Sequence, residues 1–225
     1  MRWQNVVSQV IVGVSVLCAL VMTGVVMWRE FSGGGATGTG AKAATSTVVA
    51  EWQDLVRDGH PSGPPDAPVT LVQFADFECP YCRAFALADL PAVMARYPDQ
   101  VQVIHRHFPL PYHRFARSSA IAAECASRQG RFREMHDQLY ELQDSLGLIS
   151  FSSIARRAGV ADSVAFLDCV GDTKTSEIVE RDFQLGMVIG VSATPTLVIN
   201  GRKYDRPLSR PELASVIDGI VAPSR

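Results

Sequence analysis

The sequence predicts an α/β domain with a block of helices inserted into it, preceded by one N-terminal transmembrane helix. Three observations carry this. Residues 4–27, QNVVSQVIVGVSVLCALVMTGVVM, hold no charge. Two short apolar runs, 69–75 and 101–108, have the β-branched character of buried strands. From about residue 114 to 190 the spacing turns helical, and TPTLVING then returns to strand.

The uncharged run covers roughly 36 Å as a helix at about 1.5 Å per residue, enough to span a bilayer with some tilt. Trp3 and Trp28 bracket it, as interfacial aromatics do. A cleaved signal peptide wants a shorter apolar part and a small-x-small site after it. No A-x-A precedes the linker, and Leu17 before Cys18 spoils a lipoprotein box. An anchor over 1–30 is therefore expected. FSGGGATGTGAKAATST, residues 31–47, cannot bury a core and reads as a flexible tether. The domain then occupies 48–225, with the helical insertion at about 112–190.

Within the domain, VVAEWQDLVRDG has helical spacing with Gly59 as a stop. HPSGPPDAP, residues 60–68, reads as a loop. After the strand 69–75 a helix should begin at the CxxC motif and kink at Pro91. Asn200-Gly201 marks a hairpin turn with RKYD returning, and Ser209 with Glu212 forms a capping-box pattern for the last helix. Net charge is −2 with a pI near 6.2, and the arginines are scattered. Nothing here provides the clustered basic face of a nucleic-acid partner.

The chemistry concentrates in DFECPYCRAF, residues 76–85. Cys79 falls where a strand hands over to a helix, and Pro80 suits the first helical position. The helix N-terminus stabilises a Cys79 thiolate. Cys82, one turn on, can close a ring with Cys79 and should be the more buried. Three readings are open: half of a zinc site, an inert disulfide, or a redox dithiol. Zinc needs two more ligands, and there is no second CxxC. His105 and His107 could share a strand face, where histidines are more often packed or solvated. A dithiol after a strand and opening a helix favours the redox reading. A second signature is VSATPTLVING, where Thr194 precedes Pro195. Such a proline is either cis, bringing backbone close to a neighbouring site, or an ordinary edge proline.

At VTLVQFADFECPYC, the FPL loop, AAECASRQGRFREMHDQLY and GVSATPTLVING the chain resembles the thioredoxin superfamily. It is most similar to membrane-anchored DsbA-like thiol oxidoreductases, over most of residues 66–220. CPYC also occurs in glutaredoxins, but those have no room for the 113 positions between Cys82 and Pro195 (195 − 82). The resemblance implies a thioredoxin fold with an inserted helical domain. It implies that Cys79 is the attacked, solvent-facing sulfur and Cys82 its partner. Pro80 and Tyr81 shape the site, Pro195 is the cis-proline, and Thr194 lines the substrate groove. A structural disulfide between Cys125 and Cys169 fits relatives that carry one in this block, which leaves Cys18 to pack in the anchor. Two departures bear on redox strength: Tyr81 stands where strongly oxidising relatives often have His, and Gln73 where some bury an acid.

The expected function is thiol–disulfide exchange, most simply oxidation of unfolded, cysteine-containing exported proteins. No cofactor and no metal are expected. The expected location is the cell membrane, single-pass, with the domain on the extracytoplasmic side. The implied partner is a membrane reoxidase of the DsbB or vitamin K epoxide reductase type. The rival readings are a reductase or isomerase on the same fold, and a tethered metal-binding module with the CxxC as ligands.

Overall fold

The computed structural model describes residues 44–222. The strands are β1 (Ser46–Val48), β2 (His60–Ser62), β3 (Val69–Ala75), β4 (Val101–His107), β5 (Thr196–Ile199) and β6 (Arg202–Tyr204). Among the described residues they form one sheet in the order β1-β6-β5-β3-β4-β2. β3 and β4 pair in parallel, and the other pairs are antiparallel. No helix among the described residues is long and apolar enough to cross a membrane. The expected anchor, the tether up to residue 43 and Cys18 lie outside the described residues.

Strand periodicity sorts the core to two sides of the sheet. Leu71, Val103, Leu197 and Ile199 pack with Leu213 and Ile217 of the last helix. Val72, Phe74, Ile104 and Val198 face the other way, onto Leu55, Phe108 and Leu110. Central strands buried on both faces explain why 69–75 reads as a continuous apolar run. Each large side chain so buried contributes about 1.5–3 kcal/mol.

The helices are α1 (Pro80–Ala84), α2 (Leu90–Arg96), α3 (Ala116–Ser127), α4 (Phe132–Glu141), α5 (Phe151–Arg157), α6 (Ser163–Gly171), α7 (Thr173–Val188) and α8 (Arg210–Val221). Helices α3 to α7 form the insertion, whose core of Met135, Leu139, Tyr140, Ile154 and Phe166 is continuous with Phe77, Cys79 and Cys82. The dithiol therefore sits where the insertion meets the sheet. The Asn200-Gly201 turn is present, with both residues at positive φ (43° and 79°). A side chain at Gly201 would drive into the Trp52 ring, 2.5 Å from where its Cβ would stand. The capping box is also formed, the Ser209 N–H donating to Glu212 Oε2 at 2.9 Å.

Three expectations need correction. The stretch VVAEWQDLVRDG is not a helix: residues 46–48 are β1, and only Trp52–Leu55 makes a 3-10 turn. Pairing of β1 with β6 and a left-handed Glu51 (φ 52°) break the helix at its start, and Arg106, fully buried on β4, holds the rest. It takes the carbonyls of Leu55 (2.9 Å), Asp54 (3.3 Å) and Arg57 as its own acceptors, and pairs with Asp182 at 2.6 Å. Tether residues 46–47 accordingly belong to the sheet, held against β6. Within the expected loop 60–68, residues 60–62 form the edge strand β2 along β4. The helix that carries Pro91 contains a π-helical turn over Phe85–Asp89. The Leu90 N–H donates to the Phe85 carbonyl, and this wider turn accommodates a proline that has no N–H to give Leu87.

Candidate active site

β3 ends at Ala75, and a tight turn leads to Cys79, the N-cap of α1, with Pro80 at its first position. Asp76 shapes that turn. It is buried, and its carboxylate accepts from the N–H groups of Glu78 and Leu110, each at 2.7 Å, and meets His113 Nδ1 at 2.8 Å. Its carbonyl accepts from the Cys79 N–H at 3.1 Å. The insertion clamps the same turn from outside. Gln143 Nε2 donates to the carbonyls of Phe77 (2.7 Å) and Cys79 (3.1 Å), and Arg83 pairs with Asp144 at 2.8 Å. Neither Asp76 nor Gln143 stands out by motif. The signal available was an acid directly after an apolar strand and before the CxxC.

Both thiols are free, so the site is in its dithiol form. Cys79 is 4% exposed and Cys82 is 0%. The order of burial is as expected, but Cys79 is less open to solvent than the resemblance implied. Thr194 covers it: the Cys79 thiol donates to the Thr194 carbonyl at 3.2 Å. The Thr194–Pro195 peptide is cis. Pro80 and Tyr81 are exposed, Tyr81 at 72%.

The two sulfurs ionise very differently. A hydrogen bond from the Cys82 thiol, the largest effect, draws the Cys79 pKa down to about 6. Burial opposes it, and the Thr194 side chain and the N–H groups of Cys82 and Tyr81 add to it. Burial pushes the Cys82 thiol well above its ordinary range, and the neighbouring Cys79 pushes it further. One member is thus a thiolate at neutral pH and the other a buried thiol, which is the division a nucleophile and a resolving partner need.

A pH dependence follows. In the reduced protein, alkylation should follow Cys79 alone, with a midpoint near pH 6. Because the folded pKa lies below the unfolded one, the Cys79 thiolate stabilises the reduced fold fully above about pH 8.5–9. That contribution is lost as pH falls through about 6. The disulfide form has no such group, so its unfolding midpoint minus that of the reduced form should grow as pH drops from 9 to 6. Equal pH slopes for the two forms would contradict the assignment.

Cys125 on α3 and Cys169 on α6 are joined by a disulfide, with Cα atoms 5.6 Å apart and a sequence separation of 44. His105 and His107 do share one face of β4, and both are buried. They meet His60 of β2, His136 of α4 and Glu124 of α3, none of which sequence reasoning singled out. Burial would raise the Glu124 pKa, but hydrogen bonds from His107 and His60 overcome it and hold the carboxyl well below the usual range. Gln73 is buried beside this group, paired in register with His105, and its Nε2 has no partner. No histidine or acid forms a metal-ligand group with Cys79 and Cys82 among the described residues.

Comparison with known proteins agrees with this geometry. A family model described as thioredoxin matches residues 56–219. The structure of BdbD from Bacillus subtilis superposes with a TM-score of 0.67 at 22% identity, over 79% of this chain and 97% of that one, a likeness of fold. DsbA2 from Pseudomonas aeruginosa gives 0.58 at 26% identity, over 72% and 94%. Among curated proteins, the Na(+)/H(+) antiporter NhaA 3 of Salinispora tropica is 36% identical over 169 residues, 74% of this chain. The chain spans about a quarter of the length of such relatives, so the match is to one part of a larger protein.

Proposed function

The chain belongs to the thioredoxin family and is a DsbA-like protein-disulfide oxidoreductase, and from that premise we propose that it introduces disulfides into exported proteins, outside the membrane that anchors it. The observation that carries this reading is the contrast between Cys79, with a pKa of about 6, and Cys82, held as a buried thiol. A low nucleophile pKa stabilises the reduced form relative to the disulfide, and a stabilised reduced form makes an oxidant.

In the reaction, a client thiolate attacks Cys79 Sγ of the Cys79–Cys82 disulfide. The S–S bond breaks, Cys82 takes a proton, and client and Cys79 share a mixed disulfide. A second client thiolate attacks the client's own sulfur, and Cys79 departs as a thiolate, a good leaving group at its pKa. The client has lost two electrons and the enzyme has gained them. A membrane reoxidase of the DsbB or vitamin K epoxide reductase type is the proposed acceptor. Exposed Tyr81 offers a client an apolar ring beside the site, and the Thr194 carbonyl, now accepting from the Cys79 thiol, becomes available when that thiol is exchanged.

The rival on the same fold is a reductase or isomerase. Titrating the full chain against glutathione separates them. An oxidase should have a potential above about −200 mV, whereas a value near about −270 mV assigns a reductase. Cys82→Ala should accumulate mixed disulfides with cysteine-containing exported proteins, seen as thiol-sensitive high-mass bands. A variant that accumulates none would remove the exported-client reading.

A further inference from the structure

We propose that His60, His107 and Glu124 bind a zinc-class divalent cation, at a site separate from the dithiol. The donors converge from three elements: His60 from edge strand β2, His107 from β4 and Glu124 from α3. His60 Nε2 lies 2.7 Å and His107 Nε2 2.9 Å from the same oxygen, Glu124 Oε1. One ligand atom from each falls within 4.8 Å of the others. A tetrahedral ion with bonds of about 2.0–2.1 Å holds its donors roughly 3.3–3.4 Å apart. Opening the two hydrogen bonds by about half an ångström therefore makes the room, with each ring moving its proton from Nε2 to Nδ1. His107 Nδ1 has no partner, so no second hydrogen bond pins the ring to its present tautomer. The His60 ring is set in place by stacking on Phe132, with centroids 3.5 Å apart.

A second observation points to a ligand. His60 also lines a cavity of about 270 Å³ whose wall includes Gln73 and His105. His105 is 4% exposed and neither of its ring nitrogens has a partner, nor does Gln73 Nε2. Buried polar atoms are almost always satisfied. Three unsatisfied nitrogens belong to residues lining one cavity, which His60 alone of the three donors also lines, and that space has room for a fourth ligand such as water. Two imidazoles and one carboxylate suit Zn²⁺, whereas Mg²⁺ and Ca²⁺ prefer all-oxygen shells. The side chain of His60, 16% exposed, gives access from solvent.

The test uses the full chain in detergent, without a histidine tag, carrying Cys18→Ser and with Cys79–Cys82 oxidised so that no thiolate competes. Zn²⁺ is titrated against a chromophoric chelator, and Co²⁺ provides the spectrum. One Zn²⁺ per chain is expected, with Co²⁺ bands of a four-coordinate nitrogen–oxygen site and no response to Mg²⁺. Glu124→Gln and His60→Gln should each raise the dissociation constant at least about ten-fold. At the same Zn²⁺ concentration the thermal midpoint should rise more in the parent than in His60→Gln. His60→Gln is the arm that keeps the fold, because its ring is on an edge strand and partly exposed. Absence of stoichiometric binding, or binding that both variants leave unchanged, overturns the site.

Discussion

Cys79→Ser is expected to reduce disulfide exchange by at least about 10⁴-fold, the order of loss when an essential nucleophile is removed. The serine hydroxyl is close to the sulfur in size, so the hydrogen bond at Thr194 and the helix start at Pro80 remain available. The fold should then be kept while the chemistry is gone. Cys82→Ala should fail differently. It removes the side-chain donor that lowers the Cys79 pKa, so the alkylation midpoint should climb from about 6, while attack at Cys79 remains possible. Stopped-flow alkylation across pH and the oxidation of a model dithiol peptide measure the two effects separately. Residual exchange above about 1% in Cys79→Ser would place the nucleophile elsewhere.

The second large effect concerns stability. The Cys125–Cys169 bridge ties α3 to α6 and closes a loop of 44 positions. In the chain-entropy model such a loop contributes about 4 kcal/mol by restricting the unfolded chain. Cys125→Ala/Cys169→Ala should lower the thermal midpoint by about 8–16 °C at constant redox state. The paired substitution avoids leaving a lone thiol that could attack Cys79–Cys82. Both positions lie in the insertion core, so the loss should fall on α3–α6 before the sheet, and amide exchange would locate it. A shift under about 2 °C would mean that packing of Phe166 and Ala122 against their neighbours holds the insertion without the bridge.

The parts of the molecule that sequence made legible are those where local chemistry decides the outcome. β3 is apolar because both of its faces are covered, and Asn200-Gly201 demands positive φ whatever surrounds it. Cys79, Pro80 and Cys82 are adjacent in sequence, so their division of labour could be anticipated. The largest failures came from long-range partners. The 52–58 stretch has helical spacing, but a guanidinium from residue 106 takes its carbonyls. β2 looks like a loop because it is three residues long and contains Pro61, and only β4 makes it a strand. The histidine–glutamate group draws on positions 60, 107 and 124, and no spacing rule joins segments that meet only after the insertion packs on the sheet.

The margins of the sheet bear on how this protein coexists with its clients. A protein that handles chains before they fold is surrounded by segments ready to add themselves as extra strands. Its outermost strands, β1 and β2, have three residues each, and β2 interrupts its own row of donors with Pro61. Short, proline-broken borders offer a poor template for strand addition. On the proposed function, contact with a client would thereby be confined to the neighbourhood of one sulfur and end when that bond is exchanged, and unfolded chains would be released without nucleating their aggregation.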